Sequence, residues 1–428
     1  MTHFTLRGTC HVVLLTSRTD EPWTSRGRRH KRAKRRRLAL RVALCSPLFA
    51  ANVDSDESSA SASEDDDQIY AEKFVEFFGV PQHIPKIENY VENVVHAYSD
   101  YEFRRNFRLE RAVCDDLIAR FGSSEFCPTD GRHGGASPKS AEDHVLSFLW
   151  YAGNKTCLRD IGGRFNASDS AEFVMVQRVM DFRCDIAPEV IKIPRDKEAL
   201  AAEVEEIAGF PGVIGCIDGS YIDTKCPANK VKSTYINRHD QTSVTLQAVC
   251  DTRYRFLDVF AGPSSRMHDA RIFCLSFLSD ELPQLCETRK YHMLGDAAYP
   301  TREYLMTPYK DYGSMTPEQV AYNSRHTATR VRIENSFGIL KQRFRQLRYL
   351  EFRKVDKISK FIMACCVVHN LFVDNGDSPF ERESETDRRK RLREEAERLR
   401  LPVEVDVRDA ALRQLGSIKR DSLAQALL

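Results

Sequence analysis

The sequence predicts a mixed α/β domain built around one sheet, with a helical region in front of it. Two observations carry this. Residues 69–195 are patterned as helices, and from Gly212 the texture changes to short apolar runs of strand length. A third is the long amphipathic stripe that follows the last of these runs, so that strand, hairpin, helix, strand and helix succeed one another as in α/β sheets. A chain of 428 residues can hold two or three domains, one with a sizeable core. Net charge is only +2, so any attraction to nucleic acid must be local.

Taken in order, residues 1–68 form a poorly folding region. Arg26–Arg37 reads RGRRHKRAKRRR, and Asp54–Asp67 is rich in Asp, Glu and Ser. Like charges in blocks repel and stay extended. The basic block suits a nuclear-import signal or a phosphate-binding arm, with a solvated tail as the alternative. Leu38–Ala50 imitates a signal peptide, but Arg41 interrupts the apolar run, and secretion is rejected. Thirteen cysteines, an odd number with no C-x-x-C pair, indicate thiols rather than a disulfide framework. The longest apolar stretch, near Phe361–Phe372, is too short to span a bilayer.

Within 69–195, Ala141–Gly153 places Val145, Leu146, Leu149 and Trp150 at helical spacing. Leu158–Phe165 and Asp169–Phe182 make two further helices, separated by breaks at Gly153–Lys155 and Asn166–Ser168. This is the order of a helix-turn-helix, whose last helix enters a major groove. The candidate groove helix offers chiefly Arg178 as a cation and carries Asp169 and Glu172, so a plain packing domain competes equally.

The sheet-forming part spans 196–372. GVIGCIDG (212–219) has the unbroken apolarity of a buried central strand. Ser243–Cys250 and Phe256–Phe260 form a hairpin that Gly262–Pro263 ends. His268–Leu278 reads as a helix and Tyr291–Gly295 as another strand. After a loop rich in Pro, Tyr and Asn, a helix is expected over about Arg330–Leu350, with the stripe Ile333, Phe337, Leu340, Phe344 and Leu347. Residues 373–428 turn highly charged and read as a solvated tail, with Leu415–Leu428 a docking segment.

Three acids stand at informative places in this scheme. Asp218 ends the central strand, Asp296 ends the later one, and Glu334 falls in the expected first turn of the long helix. Each alone suits a turn or a helix dipole. If the elements pack together, the carboxylates converge, and like charges in one pocket resist ionising together. Divalent cations resolve that conflict, and oxygen-only ligation suits Mg²⁺ or Mn²⁺. Two such ions, about 3.5–4 Å apart, support phosphodiester displacement. The surrounding cations Arg330, Arg332, Lys341, Arg343, Arg345 and Arg348 form a one-sign face suited to a phosphate backbone, against the blander reading of a solvated helix.

The runs VIGCIDGSYI (213–222), RMHDARIF (266–273), LGDAAYP (294–300), YLMTPY (304–309), YNSRHTATRVRIENSFGILKQRFRQL (322–347) and ACCVVHN (364–370) together resemble the Harbinger (PIF-type) transposases and the nuclease-like proteins derived from them. The resemblance implies a ribonuclease-H-like nuclease acting on DNA with a divalent metal. Its first acid corresponds to Asp218 and its last to Glu334. For the middle acid there are two candidates, and strand logic favours Asp296 over Asp269, which opens a helix and is kept with His268 as an auxiliary. Two departures stand out. Gly219, Ser220 and Tyr221 replace the family's Gly-Thr-His, which makes Tyr221 the auxiliary there, and Ala261, Gly262 and Pro263 replace an aromatic-Pro-Gly. Such proteins resemble one half of a pair, which implies a separate Myb-like DNA-binding partner and a nuclear location, with a cytoplasmic pool and a homo-oligomer also compatible.

The expectation is therefore a metal-dependent DNA endonuclease or strand-transfer enzyme using Asp218, Asp296 and Glu334. Two rivals remain: a domesticated transposase that binds DNA or a partner without catalysis, and a hydrolase of small phosphoesters.

Overall fold

The computed structural model describes residues 85–128, 138–237, 239–287, 290–376 and 407–427. The basic and acidic runs of the first 68 residues, and the charged run Glu381–Arg400, lie outside these. No described helix is long and apolar enough to cross a membrane. The described cysteines are all thiols.

Among the described residues, a π-helical turn (Val91–Val95) and six α-helices precede the sheet: α1 (Asp100–Phe107), α2 (Arg111–Gly122), α3 (Ala141–Asn154), α4 (Leu158–Arg164), α5 (Asp169–Val190) and α6 (Lys197–Ala208). Their starts follow from local chemistry. Ser140 and Asp143 form a reciprocal capping box at α3, and Ser168 accepts from the Ala171 amide at α5. The expected breaks fall where the sequence placed them, but α5 runs on to Val190. It packs against α3 and against a later helix, and its exposed positions include Asp169, Asp185 and Glu189. Arg178, its chief cation, is directed to His144 at 3.4 Å. The exposed face of α5 therefore offers phosphates more repulsion than attraction.

The sheet has five strands in the order β3-β2-β1-β4-β5. β1 (Val213–Asp223), β2 (Ser243–Cys250) and β3 (Phe256–Ser264) form an antiparallel set, followed by the short helices α7 (Asp269–Leu275) and α8 (Phe277–Leu285). β4 (His292–Leu294) and β5 (Leu305–Met306) then add in parallel on the other side of β1. Helices α9 (Pro317–Arg343), α10 (Val355–Asp374) and α11 (Val407–Ala426) complete the described chain. This mixed sheet flanked by helices is the ribonuclease-H-like arrangement expected.

Several boundaries differ from expectation, each for a physical reason. β3 does not stop at Gly262–Pro263, because β3 is an edge strand and a proline there costs no ladder bond. Gly262 keeps φ at 114°, where a side chain would be strained and would also run into Ser359 of α10. The expected single helix after β3 is two, because Ser276 adopts extended geometry between them. The long helix starts at Pro317, well before Arg330, and ends at Arg343, after which Arg345–Arg348 tightens into a 3₁₀ turn.

Two apolar layers sandwich the sheet. On one face Val213, Cys216, Ile222, Leu246, Ala248 and Leu294 join Ile333, Phe337 and Leu340 of α9 and much of α10 in a core that continues into the N-terminal helices. On the other face Ile217, Val249, Leu257 and Met293 pack with Phe273 of α7 and with Leu278 and Leu282 of α8. His369 and Asn370 tie α10 to the hairpin: Asn370 both accepts from the Phe256 amide and donates to its carbonyl, while His369 Nε2 lies 2.8 Å from the Tyr254 carbonyl.

Candidate active site

Strand alternation decides which side chains can meet. From Cys216 to Asp223, β1 runs in unbroken register with β2, so neighbouring residues face opposite ways. Asp218 shares the parity of Cys216 and Ile222 and faces α9. Gly219 shares that of Ile217 and faces α7 and α8. β4 lies parallel to β1 with Cys216 opposite Leu294. Asp218 and Asp296 each stand two residues beyond that pair, at the same level of adjacent strands. Asp296 is almost wholly buried, and its Oδ1 accepts from the Ala298 amide at 3.0 Å.

α9 brings the third acid. Its His326 reaches the Met306 carbonyl, which also accepts the Gly295 amide next to Asp296. One turn later comes Arg330, and another turn later Glu334, both buried. The Arg330 guanidinium lies 3.3 Å from Asp218 Oδ2 and 2.9 Å from Glu334 Oε1. Asp218 Oδ1 also accepts from the Gly219 amide at 2.7 Å. Two of the three expected acids thus share one arginine, and the third, Asp296, lies two residues past the β4 residue that pairs with Cys216.

Glu334 sits mid-helix rather than in a first turn, so the helix dipole plays no part in its placement. The actual first turn carries a capping box between Thr316 and Gln319 with Pro317 at its first position. Threonine, proline and glutamine at that spacing were the signal that could have located it.

Asp269 lies elsewhere. A Cβ placed on Gly219 would stand 2.8 Å from Asp269 Oδ1, so Asp269 approaches β1 from the α7 face, across the sheet from Asp218. It is the first residue of α7, in the bland N-terminal role that its position suggested. His268 precedes it as an exposed residue. Tyr221 has the parity of Gly219 and so belongs to the Asp269 side, while its carbonyl accepts from Lys341 at 2.9 Å.

The six cations expected to form one solvent-facing stripe separate into three kinds. Arg330 and Arg343 are buried, the first between the acids and the second against the Phe372 ring. Arg332 donates to the Tyr254 hydroxyl at 2.6 Å, and Lys341 is held by Tyr221. Arg345 and Arg348, in the 3₁₀ turn, are exposed. The uniform basic face is therefore corrected. A helix packed along a sheet must bury part of its circumference, and the cations on that part serve the interior.

Among the described residues, no three His, Cys, Asp or Glu side chains form a ready-made metal cage. The cause lies in the geometry just given: a guanidinium spans two of the acids. As donors, three buried carboxylates with oxygen atoms only still suit Mg²⁺ or Mn²⁺, and two of them already take a cation as partner.

Residues 217–370 match a family described as DDE superfamily endonuclease. A cattle protein named "Putative nuclease HARBI1" is 31% identical over 267 residues, covering 61% of this chain and 74% of its own. The frog (Xenopus laevis) protein of the same name is 30% identical over 307 residues, covering 68% and 85%. An Arabidopsis thaliana protein named "Protein ALP1-like" is 27% identical over 299 residues, covering 65% and 72%. No solved structure matches.

Proposed function

Because the chain belongs to the DDE-superfamily endonucleases, with the Harbinger-type, transposase-derived HARBI1 and ALP1-like proteins, we propose that it cleaves DNA phosphodiesters with divalent metal at Asp218, Asp296 and Glu334. One observation supports the reading: buried Asp218 of β1 and buried Glu334 of α9 share the Arg330 guanidinium, and buried Asp296 follows β4, the parallel neighbour of β1. Asp218 and Asp296 would hold one ion and Glu334 would hold a second. When bound, the pair supplies Lewis-acid stabilisation and an activated water or 3′ hydroxyl.

The chain's own part is to hold the acids close and buried. Buried carboxylates left uncompensated would take up protons or spread apart. Arg330 balances two of them within hydrogen-bonding distance. Exposed Arg345 and Arg348 meet the phosphate backbone, where each cation displaces counterions.

A second reading, a DNA- or partner-binding protein without catalysis, gains support from that same arginine, which already neutralises Asp218 and Glu334. Incubation of labelled duplex DNA with Mg²⁺, Mn²⁺ or EDTA separates the two. Metal-dependent cutting that disappears in Asp296→Asn supports the nuclease. Salt-sensitive binding with no cutting by either protein supports the binding role. Nuclear location through Arg26–Arg37 and a Myb-like partner belong to the proposal as well, and a fluorescent fusion lacking Arg26–Arg37 tests the former.

A further inference from the structure

Immediately beyond Asp296, the loop that follows β4 and the C-terminal helix α11 enclose a cavity of about 560 Å³. Ala297 lines it, so it adjoins the acid site in sequence and in space. Its walls combine two chemistries. Tyr309 and Tyr312 contribute aromatic rings, and Lys310, Arg413 and Arg420 contribute cations.

Each part is held differently. The Tyr309 hydroxyl donates to Asp421 at 2.6 Å, and the Arg420 guanidinium covers its ring at 4.1 Å. Arg420 is thereby oriented without a carboxylate partner, and its Nε is buried with no hydrogen-bond partner among the described residues. Arg413 is turned by Asp409 at 2.9 Å. Lys310 has no ion pair among the described residues, and Tyr312 is 84% exposed, an unusual placement for a ring of that size. α11 itself is firmly seated. Lys419 donates to the Tyr291 and Glu303 carbonyls, and a Cβ on Gly416 would stand 2.7 Å from the Arg302 backbone.

Flat rings beside Lys310 and Arg420, which make no ion pair among the described residues, match a ligand with a π face and a phosphate. A bare phosphate needs no tyrosine, and an acidic peptide offers no ring to stack. We propose that this cavity takes an unpaired nucleotide of the DNA strand being processed, its base against Tyr309 and Tyr312 and its phosphate on Lys310 and Arg420. The proposal rests on the DNA reading above and deepens it. It makes α11 part of the substrate site, and the bases bound there are strand ends or unstacked positions, because within a duplex both faces of a base are covered by its stacked neighbours.

The test is binding by the full chain in EDTA, so that catalysis plays no part. The probes are a fluorescein-labelled duplex with a short single-stranded thymidine extension, the same duplex cut blunt, and thymidine monophosphate. The extension should tighten binding about tenfold, the scale of one or two stacked bases. That gain should vanish in Tyr312→Ala and in Lys310→Ala, with blunt-duplex affinity held within about twofold of the parent. Both residues are exposed, so folding survives, whereas Arg420→Ala, whose side chain anchors on Tyr309, serves only as a supplement. Equal affinity for extended and blunt duplex overturns the proposal, as does a gain that both variants keep. Tight thymidine monophosphate binding without any gain from the extension would make the ligand a free nucleotide and also overturns it. Failure of every DNA probe would instead strike the DNA reading itself.

Discussion

The two faces of the sheet treat a buried aspartate in opposite ways. On the α9 face, Asp218 meets Arg330, which also holds Glu334, so the charge belongs to a network. On the α7 face, Asp269 heads a short helix and presses against Gly219, a β1 residue that has no side chain. Both acids are nearly inaccessible, Asp218 at 6% and Asp269 at 5%, so burial cannot tell them apart. What differs is company. Asp218 shares its cation with a second acid, as the proposed metal site requires, whereas Asp269 at a helix start has a role in positioning that helix.

The sharpest way to break this comparison is kinetic. Asp218→Asn, Asp296→Asn and Glu334→Gln should each lower metal-dependent DNA cleavage by more than about a hundredfold, the scale on which direct transition-state stabilisation is lost. Asp269→Asn should cost less than about tenfold, because its N-terminal helix role is worth little. An Asp269→Asn protein as inactive as Asp218→Asn would mean that facing does not define the site.

Next in size is Arg330→Gln. Removing one member of a buried charge network costs about 3–5 kcal/mol. The variant should melt well below the parent in EDTA, and Mn²⁺ should restore more of the loss than it adds to the parent. Equal Mn²⁺ effects on the two proteins would show that Arg330 and metal do not compete for the acids.

A third environment extends the contrast. Glu172, wholly buried on α5, makes no ion pair among the described residues, and burial, only partly opposed by Ser147, Lys139 and Lys86, raises its carboxyl to about 7. In the unfolded chain it titrates near 4.3. The folded protein therefore holds the proton to higher pH, and the stabilisation present at low pH is lost as pH rises from about 4 to 7. The shift corresponds to roughly 4 kcal/mol at one unit per 1.36 kcal/mol. Chemical denaturation of Glu172→Gln across this range should show a flatter profile than the parent, and parallel profiles would refute the assignment.

The smallest expected effect is that of Gly219→Ala. The added methyl meets Asp269 Oδ1 at 2.8 Å, and such overpacking costs about 1–3 kcal/mol. Adding Asp269→Ala should return part of that stability in a double-mutant cycle, whereas simple additivity would place Asp269 away from β1.

Much of this molecule was legible beforehand because the relevant signals are local. β2 begins and ends where its alternation does, and the breaks around α4 follow from Lys155 and from Asn166–Ser168. Misreadings came where local signals point two ways. Gly219 looked like the end of β1, but the strand continues to Asp223 with Gly219 making room for Asp269. Tyr, Asn and Thr between Pro317 and Thr329 looked like loop, but packing on the sheet and on α11 carries the helix through them.

The sequence by itself determined most of the elements, their order and the three candidate acids, since periodicity and capping act over a few residues, although Asp218 proved to lie within β1 rather than at its end. It also implied, through the i, i+4 spacing, that Arg330 could reach Glu334. Only the tertiary structure decided that the same arginine reaches Asp218, that Asp269 lies across the sheet, and that α11 walls a cavity beside Asp296. The physical reason is that strand parity makes neighbours face apart, while which helix covers which face depends on burying apolar surface between residues distant in the chain.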